Sequence, residues 1–461
     1  MLEKQKLIEI VGAGNFTDQL EELVPYSYDA SMNVHRPDAA VWPESTEQVA
    51  EIVRFANEHK IPVVPRGAGT SLSGGVIPIQ GGIIVDLSKM NRILEISIEN
   101  RYAHVQAGVV CDDLNRQLAK HGFTFPPDPA SSTVATIGGN VATNAGGIKG
   151  AKYGTTRDYV LNLEVVLASG EVIWTGANTL KYSTGYNLTH LMVGSEGTLG
   201  IVTKIVFKLI PLPQHDLLML VPFTNAESAC EAVGSVFRAG IIPSAMEFME
   251  RDAIEWSIKY SGDVNFEIKP EWQALLLVEV DGNNMDVLMN DCEKISEIMQ
   301  QNGSDEILFA DSAEQKNALW KIRRKVGEAV KSNSVYKEED TVVPRAELPK
   351  LLKGVKAIGA KYGFKSVCYG HAGDGNLHVN IIKGDLSDAV WDKELPKGIT
   401  EIFQLCKALG GTISGEHGIG MVQQKYMSIV FSESHLQLMR NIKKVFDSNG
   451  ILNPGKMFET K

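Results

Sequence analysis

Residues 370–380 read Gly-His-Ala-Gly-Asp-Gly-Asn-Leu-His-Val-Asn, and they predict a β-hairpin that carries two histidines. Apolar, β-favouring residues flank the stretch, and the Asp-Gly pair at its centre is typical of a two-residue hairpin turn. A turn there pairs His371 directly with His378 on one sheet face, with their Cβ atoms roughly 5 Å apart. Two imidazoles at that separation can share a metal ion. Asn380 lies two residues further along on the same face, within reach of a metal-bound ligand.

A second glycine-rich stretch, Ser-Gly-Glu-His-Gly-Ile-Gly at 414–420, places a carboxylate beside a further histidine. Two neutral imidazoles and one carboxylate leave a divalent ion with net positive charge and with open positions for substrate oxygens. We therefore predict a metal site made of His371, His378 and Glu416. This set of ligands does not distinguish among Fe, Zn and Mn. The alternative is that these are polar residues satisfied within glycine-rich turns. The concentration of ligand-type residues in two short loops favours the metal.

The composition indicates a multidomain globular protein. The 461 residues are enough for two or more domains, and the net charge of −11 argues against nucleic acid or an anionic membrane as partner. The five cysteines include no C-x-x-C pair, which indicates reduced thiols and neither a disulfide framework nor a cysteine-ligated iron–sulfur cluster. The N-terminus lacks a signal-peptide core, and no run reaches the ~18 apolar residues of a membrane span. These features predict a cytoplasmic protein without a transmembrane segment.

Two glycine-rich segments in the first half of the chain predict a ligand-binding surface. A predicted strand at 61–64 opens onto Pro-Arg-Gly-Ala-Gly-Thr-Ser-Leu-Ser-Gly-Gly at 65–75, where consecutive backbone amides can converge on an anion, most simply a pyrophosphate. The loop lacks a Gly-Lys-Ser/Thr ending, so it is not a nucleotide-hydrolysing P-loop. A plain hairpin connection is the alternative for this loop taken alone. The small residues at 136–147 fit a backbone laid against a flat, extended ligand.

After residue 213 the pattern changes to repeated strand–helix–strand units that lead into the histidine hairpin. Units of this size predict an antiparallel sheet covered on one face by helices, ferredoxin-like in style, and an α+β protein as a whole. We expect four parts: a helical lead-in at 1–36, a ligand-binding domain at 37–213, a substrate or cap domain at 214–410, and a C-terminal segment at 411–461 that completes the active site. The turn-rich tail at 453–458 is expected to fold back onto the ligand.

Taken together, these stretches resemble the FAD-linked oxidases and dehydrogenases of the vanillyl-alcohol oxidase/p-cresol methylhydroxylase (PCMH) type. Within that group the chain is similar to the branch that oxidises D-2-hydroxy acids. The resemblance runs from about 37 to 458. Its motifs are Pro-Arg-Gly-Ala-Gly-Thr-Ser at 65–71, Gly-Ser-Glu-Gly-Thr-Leu-Gly at 194–200, Gly-His-x-Gly-Asp-Gly-Asn-Leu-His at 370–378, Gly-Glu-His-Gly-Ile-Gly at 415–420 and Asn-Pro-Gly-Lys at 453–456.

The resemblance implies a PCMH-type FAD-binding domain and a set of cofactor-binding residues. FAD is expected to be non-covalent, because residues 66–75 contain no histidine for covalent attachment. The implied cofactor-binding residues are Arg66, Gly67, Ala68, Gly69, Thr70, Ser71, Pro129, Ser131, Thr136, Gly139, Asn140, Thr143, Gly146, Glu196, Ile201 and Asn453.

The resemblance also implies roles around the predicted metal. His371, His378 and Glu416 correspond to the metal ligands of the family, and His417 to the residue that removes the substrate proton. Arg323 and Lys337 correspond to substrate-binding and catalytic positions, to which the hairpin argument adds Asn380.

The expected function is oxidation of a D-2-hydroxy acid, foremost D-lactate to pyruvate, by hydride transfer to flavin N5. The electrons are expected to reach a separate electron-transfer flavoprotein, and some relatives couple this transfer to NAD reduction by flavin bifurcation. One alternative is a glycolate or D-2-hydroxyglutarate dehydrogenase that reduces a quinone. Alternatives from other classes are a non-catalytic flavin electron-transfer subunit and a metallohydrolase or non-haem iron oxygenase built on the two-histidine, one-carboxylate set.

Overall fold

A computed structural model of the chain describes residues 3–31, 33–262 and 267–458. The first two residues of the predicted lead-in and the last three of the predicted C-terminal segment lie outside this range. The chain forms two units. Unit 1 comprises the residues up to Gly146, Gly154–Leu212 and the residues from Glu416 onward; unit 2 comprises Gly147–Tyr153 and Pro213–Gly415. The chain therefore passes from one unit to the other four times.

The described residues of unit 1 form three sheets. The first has the order β1-β2-β4-β3, with β1 antiparallel to β2 and the remaining pairs parallel. The second is antiparallel with the order β5-β6-β10-β8-β9, and β7 pairs with β11. The strands are β1 (Phe16–Thr17), β2 (Ala39–Val41), β3 (Val63–Arg66), β4 (Ile83–Asp86), β5 (Ile93–Ser97), β6 (Tyr102–Gln106), β7 (Phe123–Thr124), β8 (Val160–Val166), β9 (Val172–Trp174), β10 (Ile201–Lys208) and β11 (Ile210–Pro211).

The helices of unit 1 follow the local signals in the sequence. Ser45 caps the helix Thr46–His59 by accepting from the amide of Gln48, and Gly12 ends the first helix. The α-helices are Lys4–Val11, Leu20–Leu23, Thr46–His59, Cys111–Ala119, Ile137–Thr143, Leu188–Met192, Met427–Val430 and Glu433–Phe446.

Unit 2 is built on one antiparallel sheet of seven strands in the order β15-β12-β14-β13-β17-β18-β16. The strands are β12 (His215–Phe223), β13 (Ala245–Glu250), β14 (Ala274–Gly282), β15 (Leu308–Phe309), β16 (Tyr336–Val342), β17 (Lys365–His371) and β18 (Asn376–Ile382). The α-helices are Gly150–Tyr153, Ala226–Arg238, Arg251–Ser261, Met285–Gln301, Ala313–Asn333, Leu348–Tyr362 and Leu395–Ala408. The antiparallel sheet and the α+β class agree with the sequence prediction.

Helices cover both faces of this sheet, whereas the sequence led us to expect one covered face. On one face, Ile254 and Ile322 of the helices Arg251–Ser261 and Ala313–Asn333 pack against Met249 and Tyr369 in a buried apolar cluster. On the other face, Lys356 of the helix Leu348–Tyr362 donates to Glu250 at 2.7 Å. Because side chains alternate along β13, Met249 and Glu250 point to opposite faces, so each face has its own helical layer.

The histidine hairpin forms, but its predicted register is wrong by two residues. Tyr369, and not His371, lies opposite His378. The connection is longer than a two-residue turn, because residues 372–374 form a turn of 3-10 helix and Gly375 follows with φ of 81°. A Cβ atom on Gly375 would collide with the carbonyl oxygen of Val343, so this connection requires glycine. A shift of two residues preserves the sheet face, so both histidines and Asn380 still share one face.

A seven-residue excursion, residues 147–153, belongs to unit 2 although the chain on either side belongs to unit 1. Two buried carboxylates of β14 hold it. Lys149 pairs with Glu279, while Lys152 and Tyr153 donate to Asp281 at 2.6 and 2.8 Å. No local pattern indicated that this glycine-rich region is divided, since the predicted ligand-binding domain at 37–213 runs through it without a break.

Candidate active site

In unit 1, the glycine-rich loop that follows β3 has backbone amides that make no hydrogen bonds within the described chain, whereas the side chain of Arg66 at its start is hydrogen-bonded outside the loop. The Arg66 guanidinium donates to the carbonyl oxygens of Pro25 at 3.0 Å and Tyr28 at 3.2 Å. Any contact of Arg66 with a cofactor would therefore come from its main chain. Within the described residues the amides of 68–71 donate no hydrogen bonds, and Gly69 has φ of 75°. A run of unengaged amides is the arrangement that binds a phosphate.

The second glycine-rich segment packs its backbone against the first loop. A Cβ atom on Gly67 would collide with Oγ1 of Thr136, and the same hydroxyl caps the helix Ile137–Thr143 by accepting from the Gly139 amide at 3.2 Å. The side chain of Asn140 is buried, and its Nδ2 has no hydrogen-bond partner within the described residues. A buried amide donor without a partner is costly in a protein, which points to a ligand group at this position.

The remaining predicted cofactor residues lie around this segment and take part in its local structure. The Pro129 carbonyl accepts from Ser132, the Ser131 carbonyl from Val134 and Ala135, and the Gly146 carbonyl from Asp128. Thr143 Oγ1 donates to the Gly139 carbonyl at 3.3 Å, and Ile201 is a buried residue at the start of β10. They shape the backbone that the prediction assigns to the dinucleotide.

Glu196, which we predicted as a cofactor residue, holds the loop that carries Glu416 and His417. Its carboxylate accepts from the amides of Ile419 and Gly420, each at 2.7 Å. Burial raises the pKa of Glu196, and the two amides oppose that rise. The same loop is fastened to the first glycine-rich loop, because Ser73 Oγ donates to the His417 carbonyl at 3.0 Å. Within unit 1, the backbone that carries Glu416 and His417 is thus held by hydrogen bonds at several points.

The C-terminal tail folds back onto these loops. The Asn453 Nδ2 donates to the carbonyl oxygens of Gly75 at 2.8 Å and Glu196 at 2.7 Å. Lys456 is 3% exposed and donates to the Ile77 carbonyl at 2.6 Å. Burial lowers the pKa of Lys456 to about 8, although Glu196 and Asp29 act in the opposite direction. The tail therefore fixes the same region that the glycine-rich segments shape, and these residues together fit FAD.

In unit 2, His371 and His378 lie side by side on the sheet, with ring centroids 5.5 Å apart and planes at 83°. Each Nδ1 faces a carboxylate: both oxygens of Glu247 lie 2.9 Å from His371 Nδ1, and Glu338 lies 3.5 Å from His378 Nδ1. Only the Glu247 contact is a hydrogen bond, and a carboxylate bound to Nδ1 leaves Nε2 of His371 as the nitrogen available to a metal. The two adjacent imidazoles therefore fit a metal ion, which His371 would bind through Nε2.

Arg323 and Asn380 lie close to this pair and carry polar atoms without partners. The Arg323 guanidinium is 5.0 Å from the Tyr369 ring and donates to Glu247 at 2.6 Å, yet its Nε is buried and has no partner among the described residues. The Asn380 side chain is fully buried, and neither amide atom makes a hydrogen bond of ordinary geometry in the described chain. These groups can recognise a small polar ligand bound among them.

Lys337 does not belong to this cluster. Lys337 pairs with Ile381 in the β16–β18 register, whereas Glu338 pairs with Asn380, so the Lys337 side chain points to the opposite face of the sheet. There its Nζ lies 5.1 Å from the Trp391 ring. Strand alternation therefore turns the Lys337 side chain away from Asn380, and the structure does not bring these two predicted substrate-binding residues together. The substrate-binding and catalytic role of Lys337 stays a prediction.

Two buried carboxylates that contact the predicted site residues or the loop that carries them were missed by the sequence analysis. Glu247 lies in the strand Ala-Met-Glu-Phe-Met-Glu at 245–250, where it is fully buried. Asp340 is also buried and accepts from the Ser414 hydroxyl at 2.9 Å and the Gly415 amide at 2.8 Å, the two residues before Glu416. The available signal was an acidic residue at an inward position of a strand, since a buried charge requires partners.

The fold of the chain is that of the PCMH-type flavoproteins. The solved structure of p-cresol methylhydroxylase with substrate bound superposes with a TM-score of 0.80 at 21% identity, covering 99% of this chain and 96% of that one. Alkyldihydroxyacetonephosphate synthase superposes with a TM-score of 0.75 at 19% identity, covering 98% and 85%. At these identities the likeness shows the fold alone.

The sequence comparisons define the family. A model for the FAD linked oxidases, C-terminal domain, matches residues 212–457, and a model for the FAD binding domain matches residues 37–176. The glycolate oxidase subunit GlcD of Bacillus subtilis is 39% identical over 99% of this chain and 96% of its own. A D-lactate dehydrogenase of Anaerostipes hadrus is 38% identical over 95% and 93%, and a D-2-hydroxyglutarate dehydrogenase of Stutzerimonas stutzeri 34% over 98% and 98%.

The chain belongs to the FAD-linked oxidase family, in its D-2-hydroxyacid dehydrogenase branch, and is a FAD-dependent 2-hydroxyacid dehydrogenase. Among the described residues, no helix has the length and apolar character needed to cross a membrane.

Proposed function

We propose that the protein oxidises D-lactate to pyruvate with FAD and one divalent metal ion, and passes the electrons to a separate electron-transfer flavoprotein. The observation that carries the proposal is the cluster on one face of the unit 2 sheet, where two imidazoles lie beside an arginine and an asparagine with partnerless buried atoms. Such a set matches the carboxylate and the C2 hydroxyl of a small 2-hydroxy acid.

The residues of unit 2 bind and orient the substrate. Arg323 offers its Nε donor to the carboxylate, and a guanidinium is suited to that group because its donors lie in one plane. Asn380 offers a donor and an acceptor to the hydroxyl or the carboxylate. The aromatic ring of Tyr369, which lies under the guanidinium, keeps Arg323 in place and excludes water from that side.

His417 takes the proton of the C2 hydroxyl. Glu196 and Ser73 hold the backbone that carries His417 through hydrogen bonds. The imidazole is therefore attached at a fixed position from which it can act as a base. FAD, held by the glycine-rich loops, would supply the two-electron acceptor for the C2 hydride. A metal bound by His371, His378 and Glu416 would supply Lewis acidity that lowers the pKa of the hydroxyl.

A separate acceptor is supported by the cysteine content. The sequence has no C-x-x-C pair, and all five cysteines are buried free thiols, so they offer no ligand set for a cluster that would conduct electrons onward. We propose an electron-transfer flavoprotein as that acceptor. Localisation in the cytoplasm is part of the same proposal.

The test is anaerobic reduction of the bound flavin by separate D- and L-2-hydroxy acids. We expect D-lactate to bleach the flavin spectrum fastest, with glycolate and D-2-hydroxyglutarate slower. If glycolate or D-2-hydroxyglutarate reduced the flavin faster than D-lactate, that acid would replace D-lactate as the proposed substrate. If none of these acids reduced the flavin, oxidation of a 2-hydroxy acid would be rejected. The alternative of a non-catalytic electron-transfer subunit would then remain.

Metal dependence is measured on the same preparation. Chelation should abolish turnover with D-lactate while the flavin spectrum remains, and Fe²⁺, Zn²⁺ or Mn²⁺ should restore it. Activity that survives complete removal of metal, as measured by elemental analysis, would remove the ion from the mechanism. Steady-state turnover with a purified electron-transfer flavoprotein or with a soluble quinone then identifies the acceptor.

A further inference from the structure

Glu247 is a fully buried carboxylate at the centre of the unit 2 sheet. Its neighbours Met246, Phe248 and Met249 are all at most 1% exposed, and Glu247 itself is 0% exposed. Burying a carboxylate is expensive unless it is paired and hydrogen-bonded. A buried ion pair also contributes little net stability compared with well-packed apolar residues. Stability alone therefore gives no reason for a glutamate here.

The first partner of Glu247 is the predicted metal ligand His371, its cross-strand neighbour in the β13–β17 pair. Both carboxylate oxygens lie 2.9 Å from His371 Nδ1. A carboxylate in this position accepts the Nδ1 proton, which fixes the tautomer and the ring orientation and makes Nε2 the more basic ligand atom.

The second partner is Arg323, the predicted anchor of the substrate carboxylate. Arg323 Nη2 lies 2.6 Å from Glu247 Oε2 and 3.5 Å from His371 Nδ1, and the side chain is 4% exposed. His371 Nδ1 and Arg323 Nη2 both act as donors to the carboxylate of Glu247. The negative charge of this carboxylate therefore allows the imidazole and the guanidinium to lie close together. The pairing on Nη2 leaves the partnerless Nε of Arg323 for a ligand.

We propose that Glu247 is a positioning residue that sets the metal ligand His371 and the substrate anchor Arg323 at the same time. It touches neither the metal nor the substrate. It orients His371 through Nδ1 and Arg323 through Nη2, so that both sites are built on one carboxylate. The proposal rests on the proposed function, because it takes His371 as a metal ligand and Arg323 as a substrate contact.

The test is the variant Glu247→Gln, which keeps the shape but places an amide N–H₂ opposite one of two donors. The metal affinity of the FAD-loaded, substrate-free protein is measured by titration of Zn²⁺ against a chromophoric chelator. We expect the Kd for Zn²⁺ to rise by about 10–100-fold, the effect typical of losing an outer partner of a metal-ligating histidine. We expect KM for D-lactate to rise as well, because Arg323 loses its fixed orientation.

Two further variants separate positioning from other effects. Arg323→Lys should raise KM and leave the Kd for Zn²⁺ unchanged. Glu250→Gln is the matched control, because Glu250 lies on the same strand and pairs with Lys356 at 2.7 Å but points to the other face. It should change neither the Kd nor KM. Glu247→Asp retains the charge but shortens the side chain by one methylene, so we expect a Kd for Zn²⁺ between those of the wild type and Glu247→Gln. If Glu247→Gln does not fold, Glu247→Asp tests the proposal in its place.

The outcomes distinguish the two proposals. A wild-type protein that binds no metal would reject the proposed function and this inference with it. A wild-type protein that binds Zn²⁺, together with Glu247 variants whose Kd and KM equal those of the wild type, would overturn the role of Glu247 and leave the proposed function intact. A Kd that rises equally in the Glu247 and Glu250 variants would also overturn it, because the effect would then be general to the strand.

Discussion

The carboxylate of Glu196 accepts a hydrogen bond of 2.7 Å from the backbone amide of Ile419, across 223 residues of sequence. Its second oxygen accepts from the amide of Gly420, also at 2.7 Å. One buried side chain thus specifies the path of the backbone directly after Glu416 and His417. The chemistry proposed for those two residues therefore depends on a group that carries out none of it.

Replacing Glu196 with glutamine should release this loop, because the amide nitrogen of glutamine cannot accept a hydrogen bond. One buried N–H then loses its partner, at a cost of about 1–3 kcal/mol. We expect faster hydrogen exchange at 416–421 and a larger loss of turnover than of bound FAD. The control is Glu171→Gln, an exposed carboxylate of the same unit. Unchanged exchange and turnover in Glu196→Gln would show that the loop holds its path without the charge.

The buried lysine of the tail predicts a specific dependence of stability on pH. The pKa of Lys456 is lowered to about 8 by burial. Between about 8 and the unfolded value near 10.4, the unfolded chain binds more protons at this site than the folded chain, so the contribution of Lys456 to stability rises with pH. The slope is at most about 1.4 kcal/mol per pH unit.

The measurement is the difference in free energy of unfolding between the wild type and Lys456→Met at pH 7 and at pH 9.5. We expect the difference to shift in favour of the wild type at the higher pH. Lys407→Met, at an exposed lysine of unit 2, is the control and should show no such shift. A difference that is the same at both pH values would mean that Lys456 stays protonated despite its burial.

Asn380 should show opposite effects on stability and on substrate binding. Its amide is fully buried, and neither polar atom makes a hydrogen bond of ordinary geometry in the described chain. Replacing it with leucine removes an unsatisfied polar group worth about 1–3 kcal/mol, so we expect the melting temperature of the substrate-free enzyme to stay the same or rise. KM for the 2-hydroxy acid should rise, because a donor and an acceptor for the ligand are lost. A fall in melting temperature with KM unchanged would make Asn380 a structural residue.

His417→Asn should remove the base while leaving the cofactor in place. General acid–base catalysis contributes about 10²–10⁴-fold, and we expect kcat to fall by that factor. The flavin spectrum and the melting temperature should be those of the wild type. His121→Asn, at an exposed histidine of unit 1, serves as the control. Near-normal turnover in His417→Asn would assign the proton to another group.

Local patterns in the sequence predicted much of the fold. The strand–helix–strand pattern predicted after residue 213 is present, with helices at 226–238 and 348–362, because both helices have a clear apolar face and the second ends at a glycine, Gly363. The sharing of one sheet face by His371, His378 and Asn380 was also predictable, since alternation along a strand survives a register shift of two.

The parts that could not be predicted depend on contacts far apart in the sequence. The register of the hairpin is set by the 3-10 turn and by the proximity of Gly375 to Val343, which no local pattern contains. The position of Lys337 required the register of β16, a strand that the sequence analysis had not defined. Glu247 has its partners 76 and 124 residues away, so its role became visible only once the sheet was known.

The pairing of Val63 with the tail has a consequence for biosynthesis. The amide of Val63 donates to the carbonyl of Ile451, and the amide of Asn453 donates to the carbonyl of Val63. The ribosome must therefore add nearly 400 residues after Val63 before Val63 can form these hydrogen bonds with residues 451 and 453. All residues of unit 2 have been synthesised once Gly415 is added, so unit 2 can fold during translation before residues 451–453 are available to pair with Val63.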